Sequence, residues 1–225
     1  MPQRRGREDM NLVTLLAAIA ALMALLYLAL CARPPSAARS GIKTASVACL
    51  ALMAWVLAAP VWLVLALSLC ALGDFCLSRA GERAFMAGVG AFAAGHLAYV
   101  VLFLSDGSSQ RALLFAAPQI WVAVVLLALG AGMIWLLLPR AGEMKVPVAL
   151  YVPIILAMGL SALTLDGARG WALVVPAALS FMASDVILAV ETFVLGEEHP
   201  LRRITPYAVW PLYWGAQASF LLAFS

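Results

Sequence analysis

Charge is scarce in this sequence of 225 residues. Only 11% of the residues are Asp, Glu, Lys or Arg, whereas 65% are hydrophobic. That composition excludes a soluble globular protein, which needs far more polar surface to face water. The net charge is +3, and no dense basic block occurs, so nucleic acid is not an expected partner. The composition instead indicates a polytopic membrane protein.

Paired cysteines and metal-ligand clusters are also missing. The chain has four cysteines and two histidines, with no Cys-x-x-Cys pair and no Cys/His cluster. We therefore expect no zinc site or other metal, no disulfide framework and no cofactor. The longest predicted connection has about ten residues, so no soluble domain fits between the apolar segments. All chemistry must then occur in the membrane or at its faces.

Long apolar runs make up most of the chain. A helix needs about 20 apolar residues to cross a bilayer, and eight segments approach this length. Proline, glycine and charged residues separate them, as turn chemistry requires. We therefore predict an all-α fold, a bundle of eight transmembrane helices that forms a single domain over residues 1–225. The predicted spans are 11–31, 42–58, 60–77, 84–104, 113–138, 146–165, 171–194 and 205–224.

Lysine and arginine are distributed unevenly between the predicted connections. Those after the first, third, fifth and seventh spans carry nine, and those after the second, fourth and sixth carry two. The positive-inside rule places the first set in the cytoplasm and both termini outside, although three arginines of the N-terminal tail oppose this orientation. We expect an integral, multi-pass protein of the bacterial cytoplasmic membrane.

One carboxylate lies well inside the seventh predicted span. Asp185 follows Phe181 and Ser184 in an apolar run, and a charged carboxylate at the centre of such a helix costs about 2.5–3.5 kcal/mol. A partner, trapped water or a bound proton must offset that cost. Asp74, near the end of the third span, is the candidate partner.

Antiparallel neighbours would bring these two acids to one half of the membrane. The end of span three, the start of span six and the second half of span seven share a face. Asp74, Tyr151 and Asp185 should therefore converge, with Lys43 at the start of span two. Two buried acids that lie close together do not both ionise easily. A protonated acid beside an ionised one is suited to general acid–base chemistry.

Other polar side chains occur on the fourth, seventh and eighth spans. His96 and Tyr99 share a helix face, as do Tyr213 and Gln217. For His96, a structural hydrogen bond between helices is an interpretation as reasonable as a functional one, and for Gln217 the structural role is the default interpretation. Glu191 lies near the end of the seventh span, where we expect it to reach the interface.

Taken together, these residues resemble a known family. Five groups of residues occur in order on successive helices: Gly73-Asp74-x-x-Leu77, Phe85-x-x-Gly88 with Gly95-His96-x-x-Tyr99, Tyr151 with Met158, Phe181-x-x-Ser184-Asp185-x-x-Leu188-Ala189, and Tyr213-x-x-x-Gln217. Over nearly the whole chain they resemble the YhhN/TMEM86 family of lysoplasmalogenases. One position departs from the family pattern, because Thr44 follows Lys43 where a proline is expected.

The resemblance implies hydrolysis of the vinyl ether bond of lysoplasmalogens, lysoplasmenyl-ethanolamine or -choline. The products would be a fatty aldehyde and glycerophospho-ethanolamine or -choline. Asp74 and Asp185 would supply the acid and the carboxylate, in an order that the sequence leaves open. Lys43 or Arg79 would hold the phosphate. Further substrate contacts are implied for His96, Tyr99, Tyr151, Ser184, Tyr213 and Gln217. The implied partners are a lysophospholipid and the bilayer, and the oligomeric state stays open.

Other classes of protein fit some of the same residues. A small transporter or proton-coupled lipid-binding protein would use Asp74 and Asp185 as ion or proton sites, although we find no internal repeat of the kind common in transporters. A structural membrane protein would use its polar groups only to hold helices together. An intramembrane aspartyl protease is disfavoured, because its Gly-x-Gly-Asp signature would need glycine where Ala71 stands.

Overall fold

The computed structural model describes the backbone of residues 2–225 and the side chains of residues 9–225. Within that range the regular structure is helical, as predicted, and one isolated antiparallel bridge joins Ser109 to Leu165. Eight long helices follow one another: α1 Pro2–Leu30, α2 Ala37–Val56, α3 Val61–Leu77, α4 Glu82–Ser105, α5 Gln119–Leu137, α6 Lys145–Ala162, α7 Val175–Phe193 and α8 Thr205–Phe224. A π-helical turn, Gly170–Val174, leads into α7.

Much of the outer surface of the bundle is apolar. Trp121 is 68% exposed and Trp135 is 79% exposed, which water does not favour but a bilayer does. By length and composition, five helical segments of the described chain can cross a membrane: Asp9–Leu30, Glu82–Ser105, Gln119–Leu137, Gly142–Ala162 and Gly167–Phe193. The predicted membrane class is therefore supported by five helices, and a crossing by all eight stays a prediction.

The start of α2 lies five residues before the sequence-based boundary. The Ser36 side chain accepts a hydrogen bond of 3.2 Å from the backbone N–H of Arg39 and so caps the helix. As a result α2 begins at Ala37 instead of residue 42. Arg39 and Lys43 then lie one turn apart on the same helix face, and both reach the cavity described below.

Glycines let α4 lie directly against α3. A Cβ atom added to Gly95 would lie 3.0 Å from the sulfur of Cys70, and one added to Gly88 would lie 2.6 Å from a methyl carbon of Leu77. Small residues allow helix backbones to approach closely in this way. The contact fixes the height of Asp74 on α3 relative to α4.

Most buried apolar side chains belong to one core cluster that extends through the bundle. A second, smaller cluster lies between α5 and α6 and is packed against the end of α7. It consists of Met133, Leu137, Ala141, Val148 and Val152. Apart from Ala141, these residues also line the cavity, so the small cluster forms one of its walls.

The connections that follow α4 and α6 are joined by hydrogen bonds. The Arg169 guanidinium donates to the Asp106 carboxylate at 2.6 Å, and the Gln110 backbone N–H donates to the Thr164 carbonyl at 2.7 Å. Burial alone would raise the pKa of Asp106, but hydrogen bonds from Ser108 and the nearby Arg169 guanidinium outweigh it, so the pKa lies below its ordinary value. The two connections therefore lie on the same side of the bundle.

Candidate active site

A cavity of about 510 Å³ opens at the end of the bundle where α1, α3, α5 and α7 end. Pro35, Ser36, Arg79 and Ala80, from the connections after α1 and α3, line its mouth. Deeper lining residues come from all eight helices. A cavity of this size fits a small ligand or part of a lipid.

Asp74 forms the deepest charged part of the cavity wall. Its side chain has no exposed surface, and the Lys43 ammonium nitrogen lies 2.8 Å from Oδ1. The Tyr213 hydroxyl donates a hydrogen bond of 2.8 Å to Oδ2. A buried carboxylate that has both a cation and a hydrogen-bond donor is compensated in its ionised form.

Asp185 lines the same cavity but has different partners. The Tyr151 hydroxyl donates to Oδ2 at 2.6 Å, whereas the nearest hydrogen-bonding atom to Oδ1 among residues 9–225 is the Ser184 hydroxyl, at 3.4 Å. The side chain of Asp185 is 16% exposed. One carboxylate oxygen is therefore available to a molecule in the cavity.

His96 lies behind Asp185. Its Nδ1 is 2.7 Å from the Phe92 carbonyl oxygen, and since a carbonyl only accepts hydrogen bonds, we assign the ring hydrogen to Nδ1. Nε2 lies 3.7 Å from Asp185 Oδ2 and has no hydrogen-bond partner among the side chains that the structure describes. Two lone pairs would face each other unless one of these groups carries a proton.

Tyr99 and Gln217 form a separate buried pair between α4 and α8. The Tyr99 hydroxyl donates to the Gln217 side-chain oxygen, and both side chains are fully buried. Neither residue lines the cavity. Their hydrogen bond joins two helices behind the cavity wall, which is the structural role that the sequence left open for them.

The structure thus divides the predicted site residues into two layers. The two aspartates line the cavity together with four residues of the predicted set: Lys43, Tyr151, Ser184 and Tyr213. The other three are buried behind that wall: His96, Tyr99 and Gln217. The predicted convergence of the two acids, Tyr151 and Lys43 is therefore present in the structure.

Sequence reasoning did not include two charged residues that line the cavity mouth. Arg39 donates hydrogen bonds of 2.8 Å to the Cys31 and Arg33 carbonyl oxygens, so it also holds the connection between α1 and α2. Glu191 lines the mouth from α7, where the sequence placed it only near an interface. The signal that could have identified Arg39 is the helix cap at Ser36. A helix that begins there places Arg39 one turn before Lys43 on the same face.

The charged residues at the mouth come from different elements. Arg39 and Lys43 come from α2, Arg79 from the connection after α3, and Glu191 from α7. Among the side chains of residues 9–225, no group of three or more His, Cys, Asp or Glu is arranged to hold a metal ion. The polar end of the cavity therefore offers carboxylates, hydroxyls and basic groups.

An apolar helical bundle with a charged cavity at one end is the architecture of a membrane protein that has a polar site within the bundle. Comparison with known families agrees with the sequence patterns. The chain belongs to the YhhN family, whose profile matches residues 38–224.

Curated relatives carry the name of an enzyme. A protein of Mycobacterium bovis named lysoplasmalogenase is 30% identical over 167 residues, which cover 72% of this chain and 58% of the relative. A human protein named lysoplasmalogenase TMEM86B is 34% identical over 173 residues, which cover 74% of this chain and 70% of the relative. The chain thus spans less than two thirds of the mycobacterial relative. No solved structure gives a significant match.

Proposed function

We propose that this protein is a lysoplasmalogenase, which hydrolyses the vinyl ether bond of lysoplasmenyl-ethanolamine or -choline. Family membership and the names of the relatives support this activity. The observation within the chain that carries the proposal is the pair Asp74 and Asp185, which line one cavity with different partners. One carboxylate is compensated by a cation, and the other has an oxygen whose only hydrogen-bond partner among residues 9–225 is the Ser184 hydroxyl at 3.4 Å.

The reaction begins with transfer of a proton to carbon. A vinyl ether accepts the proton at the carbon farther from oxygen, which leaves an oxocarbenium ion. Asp185 is the proton donor in this scheme, because its side chain is partly exposed and Oδ1 has only the Ser184 hydroxyl, at 3.4 Å, as a partner. The proton transferred is carried on Oδ1, while Oδ2, the oxygen nearer to His96 Nε2, accepts the hydrogen bond from Tyr151. Tyr151 holds the carboxyl group in position.

Asp74 acts in the second step. Its carboxylate, paired with Lys43, stabilises the cation and accepts a proton from the water that adds to the carbon. The resulting hemiacetal breaks its bond to the glycerol oxygen, and its hydroxyl proton passes to that oxygen as the aldehyde forms. One water is consumed, and exchange at the cavity mouth returns a proton to Asp185 and removes one from Asp74.

The apolar wall of the cavity holds the single chain of the substrate. Met133, Leu137, Val148 and Val152 provide this surface between α5 and α6. Leu129, on the same lining, is 42% exposed, and in this scheme the chain enters from the bilayer beside it. The head group then remains at the charged mouth, and the vinyl ether lies between the two regions.

The direct test is aldehyde release from lysoplasmenyl-ethanolamine by purified protein in detergent. We expect Asp74→Asn and Asp185→Asn each to abolish release. Asp166→Asn, in a connection at the other end of the bundle, is the matched control and should remain active. Full activity in either of the first two variants would overturn the two-acid mechanism.

Three further outcomes separate the remaining functions. Equal turnover of an ordinary ester lysophospholipid would contradict specificity for the vinyl ether. Lipid or proton flux in proteoliposomes without aldehyde release would favour the transporter. Activity that is lost together with folding in Asp185→Asn would favour a structural role for the carboxylate.

We further propose that all eight helices cross the membrane as one domain, in a bacterial cytoplasmic membrane with the cavity mouth on the cytoplasmic side. Their connections alternate between the two ends of the bundle, and helices of 17 to 20 residues such as α3 and α8 are about 25–30 Å long. Single cysteines at Ala80 and Gly107, introduced after the native cysteines are replaced, test this arrangement. Labelling of both positions from the same side would contradict it.

A further inference from the structure

We propose that Glu191 and Arg79 form a subsite for a zwitterionic lipid head group, in which Glu191 receives the ammonium and Arg79 the phosphate. The inference rests on the proposed lysophospholipid substrate and identifies the residues that distinguish its head group. It also predicts that a head group with negative charge alone binds less well.

Glu191 presents a carboxylate at the mouth of the cavity, and no cation among the described side chains pairs with it. The Thr205 hydroxyl donates a hydrogen bond to it, and no lysine, arginine or histidine of residues 9–225 lies within 4.0 Å. The nearby Arg202 guanidinium instead donates to the Glu191 backbone carbonyl at 2.6 Å and to the Leu195 carbonyl at 3.0 Å. The carboxylate is thus held in place and is open to a ligand cation.

Arg79 is the basic group at the mouth that is best suited to phosphate. Lys43 is bound to Asp74, and Arg39 is bound to two carbonyl oxygens of the connection before α2. The Arg79 guanidinium packs over the Phe75 ring at 4.3 Å from its centroid. Stacking of this kind leaves the N–H edge of the guanidinium for a bidentate anion.

The two charges come from different elements that line one cavity, Arg79 from the connection after α3 and Glu191 from α7. A phosphoethanolamine or phosphocholine group carries one negative and one positive charge in series, which matches that arrangement. A phosphate monoester would bring additional negative charge toward Glu191. Repulsion of the wrong ligand contributes to specificity as much as attraction of the right one.

A structural role for Glu191 makes a different prediction, because its bond to Thr205 also fixes the start of α8. The side chain of glutamine retains an oxygen that accepts the Thr205 hydrogen bond but has no charge. Glu191→Gln therefore removes the proposed ammonium contact and keeps the structural one. Thr205→Val does the reverse, since it removes the hydrogen bond and keeps the carboxylate.

The experiment compares kcat/KM of the full chain in detergent for lysoplasmenyl-ethanolamine and for the corresponding alkenyl lysophosphatidate. We expect Glu191→Gln to reduce the preference for the ethanolamine substrate about fivefold, the effect of one partly exposed charge contact. Glu197→Gln, an exposed residue that does not line the cavity, is the matched control. An unchanged preference in Glu191→Gln, or the same loss in Thr205→Val as in Glu191→Gln, would overturn the proposal.

A binding measurement separates this inference from the proposed reaction. Alkyl ether lysolipids cannot be hydrolysed, and Trp210 on the cavity wall provides a fluorescence signal for their binding. One possible result is that neither wild type nor any variant releases aldehyde, but Glu191→Gln still loses the preference in binding for the alkyl ethanolamine lipid over the alkyl phosphatidate. That result contradicts the proposed reaction and supports the subsite. If aldehyde is released but binding preference is the same in wild type and Glu191→Gln, the subsite is wrong.

Discussion

Lys43 and Asp74 form an ion pair of 2.8 Å between α2 and α3, and the carboxylate has no exposed surface. Removing one partner of a buried pair leaves an uncompensated charge, which typically costs about 3–5 kcal/mol. We therefore expect Lys43→Met to lower the thermal stability in detergent strongly. The double variant Lys43→Met/Asp74→Asn should recover part of the loss, whereas additive losses would show that the two groups do not interact.

The hydrogen bond between Tyr151 and Asp185 leads to a second prediction, about the rate of aldehyde release. Tyr151→Phe removes the 2.6 Å hydrogen bond to Asp185 and leaves the ring in place. A hydrogen bond to a charged group contributes about 1.5–3 kcal/mol, so kcat for aldehyde release should fall about 10- to 100-fold. The matched control is Tyr207→Phe, a residue that does not line the cavity. An unchanged kcat in Tyr151→Phe would remove this tyrosine from the mechanism.

The polar residues behind the cavity should affect stability more than chemistry. Tyr99→Phe removes the hydrogen bond to Gln217, and an unsatisfied buried amide costs about 1–3 kcal/mol. We expect a lower melting temperature and an unchanged kcat per folded molecule. A large loss of kcat at full stability would instead place Tyr99 in contact with substrate.

The sequence could not predict which of the site residues line the cavity and which lie behind its wall. Periodicity and turn residues predicted the helices, and antiparallel order predicted that Asp74 and Asp185 meet. The rotation of each helix about its own axis, however, depends on packing contacts such as that of Gly95 with Cys70. That rotation decides that His96 lies behind the wall while Asp185 lies on it.

Local hydrogen bonding explains why α2 begins earlier than the sequence predicts. The polar stretch before residue 42 reads as a loop, because Arg39 and two serines interrupt the apolar pattern. In the structure Ser36 caps a helix there, and the polar residues line a cavity instead of facing solvent. A hydropathy pattern does not distinguish these two environments, since both are polar.

Gly170 provides a test of backbone packing near the start of α7. A Cβ atom there would lie 2.6 Å from the Leu165 carbonyl oxygen, which is backbone and moves little. Gly170→Ala should therefore lower the melting temperature. Gly132→Ala, on α5 with open space around it, is the control and should stabilise the helix by about 0.5–1 kcal/mol. Equal effects of the two changes would contradict the contact.

We expect the Asp106 carboxylate to make a pH-dependent contribution to the stability of the fold. Its pKa is lowered in the folded protein, so the carboxylate stabilises the fold at every pH above its unfolded value of about 3.9. That contribution is lost as the pH falls through the lower, folded value. Asp106→Asn should thus lower the melting temperature at neutral pH.

The same variant should differ little from wild type in strong acid, where the native carboxyl group is protonated. Thermal melting in detergent across this pH range measures the difference. Glu143→Gln, which replaces an exposed residue at the opposite end of the bundle, is the matched control. A constant difference between Asp106→Asn and wild type would contradict the ion pair with Arg169.

The position of the cavity mouth at one end of the bundle has a consequence for lipid sorting. A lysolipid in a bilayer keeps its head group at one surface, so only molecules of one leaflet meet the mouth with the chain directed inward. Lipids of the other leaflet must first flip across the membrane. For the reaction that we propose, turnover in a cell would therefore depend on the leaflet in which the lysolipid is generated, as well as on the enzyme.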